Sequence, residues 1–163
     1  PEEVLVKVRV LLRDSQPSKK IQTRGNAMNQ KADAISLEGK KILWVEDDQF
    51  LNDIIAHKLS LTKCLLFHAS EGEEALKIVN QEIPDIIMLD IILSGMDGFE
   101  ILRRIKSDPK TKRIPVILLS NLGQQSDIEK GKELGAAQFM IKATVTPNKI
   151  IDQIKEVLSG GGK

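Results

Sequence analysis

Short apolar runs alternate with helix-like segments from residue 42 almost to the end of the chain. The runs are Ile42–Val45, Leu65–Phe67, Ile86–Leu89, Val116–Leu119 and Phe139–Ile141. Each run is continuously apolar, and several are rich in β-branched residues, which is typical of strands buried on both faces. Strands of this kind that alternate with helices predict a parallel sheet covered on both sides.

The segments between the runs carry signals for helix starts. Ser70, Asp97 and Ser126 each precede a glutamate by three residues, which is the spacing of a capping box. Thr146 followed by Pro147 predicts an N-cap and a proline at the first helical position.

The same pattern divides the chain into four parts. Residues 41–159 are predicted as one α/β domain with a flavodoxin-like, doubly wound, five-stranded parallel sheet of order 2-1-3-4-5. Polar residues without sustained periodicity predict a linker over 15–40, and the glycine-rich residues 160–163 predict a loose tail. Residues 1–14 share the apolar register of residues 147–158, so they predict an amphipathic N-terminal helix.

Composition excludes several classes of protein. The 163 residues are 41% hydrophobic and 29% charged, which is typical of a soluble globular chain. No apolar run approaches the roughly 20 residues needed to cross a bilayer, so we expect no membrane association. The single cysteine, Cys64, cannot form an internal disulfide, which favours a cytoplasmic location. The basic excess in residues 1–41 is small and scattered, so we expect no direct binding of nucleic acid.

Acidic residues follow the first and third predicted strands. Glu46, Asp47 and Asp48 come directly after the first strand, and Asp90 comes directly after the third. These strands are neighbours in the order 2-1-3-4-5, and the carboxyl ends of parallel strands meet at one edge, so we expect the carboxylates to converge. Converging carboxylates repel one another unless a cation intervenes, and oxygen-only ligands favour Mg²⁺.

The fourth and fifth predicted strands add a hydroxyl and an ammonium group to that edge. The fourth ends in Ser120 and the fifth in Lys142. Such groups beside a carboxylate-bound Mg²⁺ suit an incoming phosphoryl group, because phosphoryl transfer needs mainly positioning and neutralisation of oxygens. Asp90 is the candidate acceptor and would form an aspartyl phosphate. Each residue alone has an ordinary structural interpretation, and the prediction depends on their joint placement.

The motifs that carry these residues resemble the receiver domain of bacterial response regulators over about residues 40–159. They are Ile42-Leu-Trp-Val-Glu-Asp-Asp, Ile86-Ile-Met-Leu-Asp-Ile-Ile-Leu-Ser-Gly-Met-Asp-Gly, Val116-Ile-Leu-Leu-Ser-Asn and Phe139-Met-Ile-Lys. The resemblance implies a phosphoprotein domain of two-component signalling and not a classical enzyme. Its phosphoryl donor would be a histidine kinase or a phosphotransfer protein, and its output a change in protein–protein contacts.

The resemblance also implies a role for each residue of the site. Asp90 would be the phosphoacceptor. The implied Mg²⁺ ligands are the side chains of Glu46, Asp47 and Asp90 and the backbone carbonyl of Ile92. The implied phosphoryl-binding and switch residues are Ser120, Lys142 and Phe139.

Three residues depart from the pattern of the family. Ser94 and Ala143 stand where proline is usual, and Asn121 stands where a small residue is commoner. A cis bond before a non-proline residue costs about 2.5–4 kcal/mol, so a trans Lys142–Ala143 bond is a hypothesis for this chain. Weaker or slower activation would be its consequence.

Residues 1–14 are also similar to the last helix of a second, upstream receiver, the alternative being a generic amphipathic helix. On the first interpretation the chain is a fragment of a tandem-receiver protein or a fusion whose original start is Met28. An isolated helix this short is marginal, so its apolar stripe would pack on the domain or on another copy. A homodimer through residues 1–14 or through the receiver surface is therefore a further expectation.

Three other functions compete with this interpretation. A flavodoxin-type cofactor binder conflicts with Glu46-Asp47-Asp48, which would repel a phosphate unless a cation intervened. An aspartate-nucleophile phosphatase needs a second acid two residues after Asp90, where Ile92 stands. A pseudo-receiver that signals without phosphorylation remains the alternative. His57 and His68 are interpreted as structural residues away from the acidic edge, and Trp44 as a core residue.

Overall fold

A computed structural model describes residues 7–8, 36–121 and 123–160. The strands in these ranges are β1 Lys7–Val8, β2 Lys41–Val45, β3 Leu65–Ala69, β4 Ile86–Asp90, β5 Val116–Ser120 and β6 Gln138–Ile141. The helices are α1 Gln49–Ser60, α2 Gly72–Glu82, α3 Gly98–Ser107, α4 Gln125–Glu133 and α5 Pro147–Leu158, and Lys142–Thr144 form one 3₁₀ turn.

The sheet has the predicted topology. Its order is β1-β3-β2-β4-β5-β6, and β2 to β6 are parallel. Counted from β2, the parallel strands follow the order 2-1-3-4-5, which confirms the flavodoxin-like prediction. This order places β2 and β4 side by side, so the residues after these strands meet at one edge of the sheet.

Apolar side chains fill the space on both faces of the sheet. On one face, Leu43 and Leu89 belong to the core that includes buried residues of α2 and α3. On the other, Trp44 and Met88 belong to the core that includes buried residues of α1 and α5. Neighbouring residues of one strand alternate between the two cores, which explains why the central strands are apolar throughout.

Two of the four predicted helix caps occur where they were predicted. The Asp97 carboxylate accepts from the N–H of Phe99 at the start of α3, and Thr146 Oγ1 accepts from the N–H of Lys149 at the start of α5. The predictions at Ser70 and Ser126 are wrong by one and two residues, since Glu71 and Gln124 are the N-caps. Neither of these N-caps makes a side-chain hydrogen bond, so α2 and α4 begin without the capping interaction that the sequence prediction assumed.

The helix prediction for residues 1–14 is wrong at Lys7 and Val8. These two residues form an antiparallel strand against β3, with Lys7 opposite Phe67 and Val8 opposite Leu66. Valine occupies every second position from residue 4 to residue 10, which is the period of a strand, and pairing covers the edge of β3. The other predictions for residues 1–14 fall outside the described residues.

The domain begins before residue 41, contrary to the predicted linker boundary. Leu37 is 1% exposed and packs in the same core as Trp44. The N–H of Gly39 also donates to the carbonyl of Lys63, at 3.1 Å. Residues 15–35 of the predicted linker and 161–163 of the predicted tail lie outside the described residues. Within the described ranges, no helix combines the length and apolar character needed to cross a membrane.

Candidate functional site

Three carboxylates converge at the carboxyl ends of β2 and β4, as predicted. One oxygen from each of Glu46, Asp47 and Asp90 lies within 4.8 Å of the others. Glu46 is 1% exposed and Asp90 3% exposed, whereas Asp47 is open to solvent. The cluster therefore has a buried floor and an accessible mouth.

The Lys142 ammonium group lies between the two buried carboxylates. Its Nζ is 2.6 Å from Asp90 Oδ2, and it also donates to Glu46 Oε2. Burial works to lower the pKa of Lys142, but the hydrogen bonds to Asp90 and Glu46 outweigh it and raise that pKa. Burial raises the pKa of Glu46 in spite of the ammonium group. Among the described residues, Glu46 and Asp90 form their ion pairs with this one ammonium group.

The peptide bond between Lys142 and Ala143 is trans, as hypothesised, and the described residues contain no cis bond. Lys142 begins the 3₁₀ turn that follows β6. From there its side chain still reaches Asp90, so proline is not required after Lys142 for this contact. Weaker or slower activation stays a prediction.

Asp90 is held from both sides of its carboxylate. Oδ1 accepts from the N–H of Ile92 at 3.1 Å, and Oδ2 accepts from Lys142. The loop after β4 returns against the strand, because the N–H of Gly98 donates to the carbonyl of Ile91 at 2.9 Å. A Cβ on Gly98 would lie 2.4 Å from the backbone oxygen of Asp90, so this close approach requires glycine.

Asp47 and Asp48 make different contacts although they are neighbours. Asp47 Oδ2 accepts from the hydroxyl of Ser94 at 3.2 Å, which ties the loop after β4 to the acidic cluster. Asp48 caps α1, where its Oδ1 accepts from the N–H of Leu51 at 3.1 Å. Asp48 is therefore occupied outside the carboxylate cluster that sequence reasoning assigned it to.

Ser120 ends β5 near the cluster, whereas Phe139 lies on β6 opposite Leu118, two residues before the level of Ser120. Asp90 pairs with Leu119 in the register of β4 and β5, so Ser120 is one residue nearer the carboxyl edge. Ser120 is 2% exposed, whereas Phe139 is half-buried and packs against the core that includes α2 and α3.

Sequence reasoning missed two side chains that hold the backbone of Glu46. The Glu46 carbonyl accepts from Asn52 Nδ2 at 3.1 Å and lies 2.8 Å from His68 Nε2. The interpretation of His68 as remote from the acidic edge is wrong, because the parallel register puts His68 beside Trp44, two residues before Glu46. Trp44 is buried in the core, as predicted.

A model of the response regulator receiver domain matches residues 42–155, and the chain belongs to that family. The domain is thus a signalling domain of two-component systems and not a classical enzyme. The probable transcriptional regulator ycf27 of Guillardia theta is 36% identical over 125 residues, which cover 76% of this chain and 48% of that protein. The chain therefore spans about half the length of that relative.

Solved structures of other response regulators have the same fold. The phosphorylated cyanobacterial phytochrome response regulator RcpA is 31% identical with a TM-score of 0.66, and the match covers 77% of this chain and 97% of RcpA. The Mn²⁺-bound form of response regulator Rcp1 is 27% identical with a TM-score of 0.63, and the match covers 72% of this chain and 92% of Rcp1.

Proposed function

We propose that Asp90 accepts a phosphoryl group from a histidine kinase or a phosphotransfer protein in the cytoplasm, and that this switches the protein contacts of the domain. The observation that carries the proposal is the convergence of Glu46, Asp47 and Asp90, with Lys142 bonded to the floor of the cluster. The solved structure of RcpA, to which the chain is similar, is phosphorylated.

The donor set of the cluster fits Mg²⁺. Glu46, Asp47 and Asp90 offer carboxylate oxygens, which are hard ligands that Mg²⁺ prefers, and the backbone carbonyl of Ile92 would be a fourth ligand. When bound, the cation would neutralise charge on the carboxylates and on the phosphoryl oxygens. The similar response regulator Rcp1 has a structure with Mn²⁺ bound.

The side chains of the site would position and neutralise the transferred group. The P–N bond of a phosphohistidine donor breaks as an Asp90 oxygen forms the new P–O bond, and the donor imidazole leaves. Lys142 already contacts Asp90 and would pair with the phosphoryl oxygens, as would the Ser120 hydroxyl. Phe139, half-buried beside β5, would change its packing when Ser120 does, and so report the phosphorylated state at the surface.

Exposed apolar side chains that follow β2 and β4 in the chain offer contact points for the donor protein. Phe50 is 76% exposed and Ile54 37% exposed, one turn apart on α1, which begins just after Asp48. Ile92, two residues after Asp90, is 61% exposed. We infer that a donor docking at Asp90 would cover these side chains, since apolar surface that is exposed in one state is commonly covered by a partner.

Intact-mass measurement of the full chain tests the proposal directly. After incubation with Mg²⁺ and acetyl phosphate, we expect one phosphoryl adduct on the unmodified protein and none on Asp90→Asn. Asp127→Asn, which changes a partly exposed aspartate on α4, serves as the matched control and should keep the adduct. No adduct on the unmodified, folded protein would favour the pseudo-receiver instead.

A further inference from the structure

We propose that the buried pair Trp44 and Asn52 positions Glu46 and thereby sets the affinity of the acidic cluster for Mg²⁺. The inference rests on the proposed function, because it concerns the same cluster. Both residues act through Glu46 and contact neither the phosphoryl group nor the cation, so they are positioning residues.

A continuous chain of hydrogen bonds joins the three residues. The indole Nε1 of Trp44 donates to Asn52 Oδ1 at 2.6 Å, and Asn52 Nδ2 donates to the carbonyl of Glu46 at 3.1 Å. Trp44 is 1% exposed, Asn52 7% and Glu46 1%, so water does not compete for these bonds. The side-chain amide uses its acceptor on one partner and a donor on the other, which fixes its orientation.

The backbone of Glu46 is held at each of its polar atoms. Its N–H donates to the carbonyl of Ala69 at 3.0 Å. Its carbonyl oxygen has His68 Nε2 at 2.8 Å as a second neighbour besides Asn52. A carbonyl only accepts, so His68 must carry its proton on Nε2 in this contact. Both lone pairs of the Glu46 carbonyl are therefore used.

Burying these polar groups costs free energy that an apolar core at the same positions would not. Burying an amide and an indole N–H is unfavourable unless both are bonded, and an apolar pair of similar volume would fill the core without that requirement. What the pair adds is a fixed link from α1 to the backbone of Glu46, the residue that directly follows β2. Groups that orient metal ligands in this way typically affect metal affinity by about 10–100-fold.

The Mg²⁺ affinity of variants, measured by calorimetry, separates positioning from stability. Asn52→Ala removes both hydrogen bonds, and we expect about tenfold weaker binding. Trp44→Phe removes only the indole bond and should weaken binding about twofold to threefold, because Asn52 can still donate to Glu46. Ile55→Ala, on the same helix and 1% exposed, removes core packing but neither hydrogen bond of the network, so it should destabilise the fold and leave Mg²⁺ affinity unchanged.

A second readout follows the network in the metal-free protein. Trp44 is the only tryptophan of the chain, so its indole N–H gives a single, unambiguous NMR resonance. We expect this resonance to move in Asn52→Ala and in wild type on addition of Mg²⁺. If Asn52→Ala does not fold, Asn52→Asp keeps the acceptor for Trp44 but loses the donor to Glu46. Its added negative charge alone would strengthen Mg²⁺ binding, so weaker binding would support the proposal.

Failure of this inference differs from failure of the proposed function. If the wild-type protein binds Mg²⁺ and Asn52→Ala binds it with an affinity within twofold of wild type, Asn52 does not position Glu46 for the cation and the inference is overturned. A loss of affinity in Ile55→Ala equal to that in Asn52→Ala would overturn it as well. Unchanged or tighter binding by Asn52→Asp would count against it in the same way. Absence of both Mg²⁺ binding and the Asp90 adduct in the wild-type protein would overturn the proposed function itself.

Discussion

Nζ of Lys142 lies 2.6 Å from Oδ2 of Asp90, although the peptide bond after Lys142 is trans. The Lys142 side chain is 13% exposed and that of Asp90 5%, so the pair is largely withdrawn from water. Lys142 also contacts the more deeply buried Glu46. In the part of the chain that the structure describes, this ammonium group is the positive charge that the buried carboxylates contact.

We therefore expect Lys142→Met to destabilise the metal-free protein. Removing one partner of a buried pair leaves an uncompensated charge, a cost that partial exposure and protonation of Glu46 would reduce to about 2 kcal/mol. The melting temperature in EDTA should fall by roughly 4–8 °C. Added Mg²⁺ should raise it more in the variant than in wild type, because the cation replaces the lost charge.

Lys149→Met, an exposed lysine on α5, is the matched control and should melt like wild type. Equal melting temperatures for Lys142→Met and Lys149→Met in EDTA would show that the carboxylates do not depend on Lys142.

The hydrophobic periodicity and the strand order were enough to predict the sheet and most of the candidate site. The hydrogen bonds that individual side chains make were not predictable in this way. Continuous apolar runs identified the parallel strands, and strand order then brought Glu46, Asp90 and Lys142 to one edge. No periodic signal shows that the amide of Asn52 reaches the carbonyl of Glu46, six residues away across the end of a helix. For Lys7 and Val8, the pattern is compatible with both a helix and a strand, and pairing with β3 decides between them.

Ser94 would compete with a bound cation for Asp47. Its hydroxyl donates to Asp47 Oδ2 at 3.2 Å, a contact that the proline usual at this position in the family could not make. Because Mg²⁺ would have to displace or share this exposed hydrogen bond, we expect Ser94→Ala to bind Mg²⁺ about twofold to tenfold more tightly, equivalent to about 0.5–1.5 kcal/mol. Calorimetric titration of Ser94→Ala against Ser107→Ala, whose hydroxyl bonds within α3, checks this, and weaker binding by Ser94→Ala would contradict it.

Gly98 allows α3 to start against the backbone of Asp90. A Cβ at this position would lie 2.4 Å from the Asp90 carbonyl oxygen and 2.7 Å from Ile91 Cα, and backbone atoms cannot rotate away. Overpacking of this kind costs about 1–3 kcal/mol, so Gly98→Ala should lower the free energy of unfolding in urea by about that amount. The phosphoryl adduct on Asp90 should fall as well. Gln125→Ala, at the exposed first position of α4, should change neither quantity, and a Gly98→Ala variant as stable as wild type would show that this loop yields easily.

Glu100 makes stability depend weakly on pH. Hydrogen bonds from Arg103 and then Arg104 lower the pKa of Glu100 from 4.5 to about 2. The pKa is lower in the folded state, so the stabilisation is present above about pH 4.5 and is lost as pH falls towards 2. Because the pair is exposed and screened by salt, the effect should be small.

Urea unfolding of Glu100→Gln at low salt checks the sign of this dependence. The variant should be slightly less stable than wild type near neutral pH, and the difference should shrink below about pH 4.5 and at high salt. Glu133→Gln, an exposed residue at the end of α4, should show no such trend. A difference that grows as the pH falls would be inconsistent with a lowered pKa.

Lys7 and Val8 pair with the edge strand β3 of the same chain. The long stretch between Val8 and Lys41 makes this pairing possible within one chain, and the high effective concentration of a tethered segment favours it over pairing between copies. We therefore expect the intact chain to be monomeric by light scattering. Deletion of residues 1–10 should speed amide exchange in β3 and promote self-association, because an uncovered strand edge is a template for pairing.

The opposite pattern would support the predicted homodimer through residues 1–14. In that case the intact chain would be a dimer, and deletion of residues 1–10 would convert it to a monomer. Replacing Lys7 and Arg9 together by glutamine is the matched control, since it removes charge but keeps the alternating valines and the backbone groups that pair. The control should therefore behave like the intact chain, because the hydrogen bonds of a β-sheet join backbone groups.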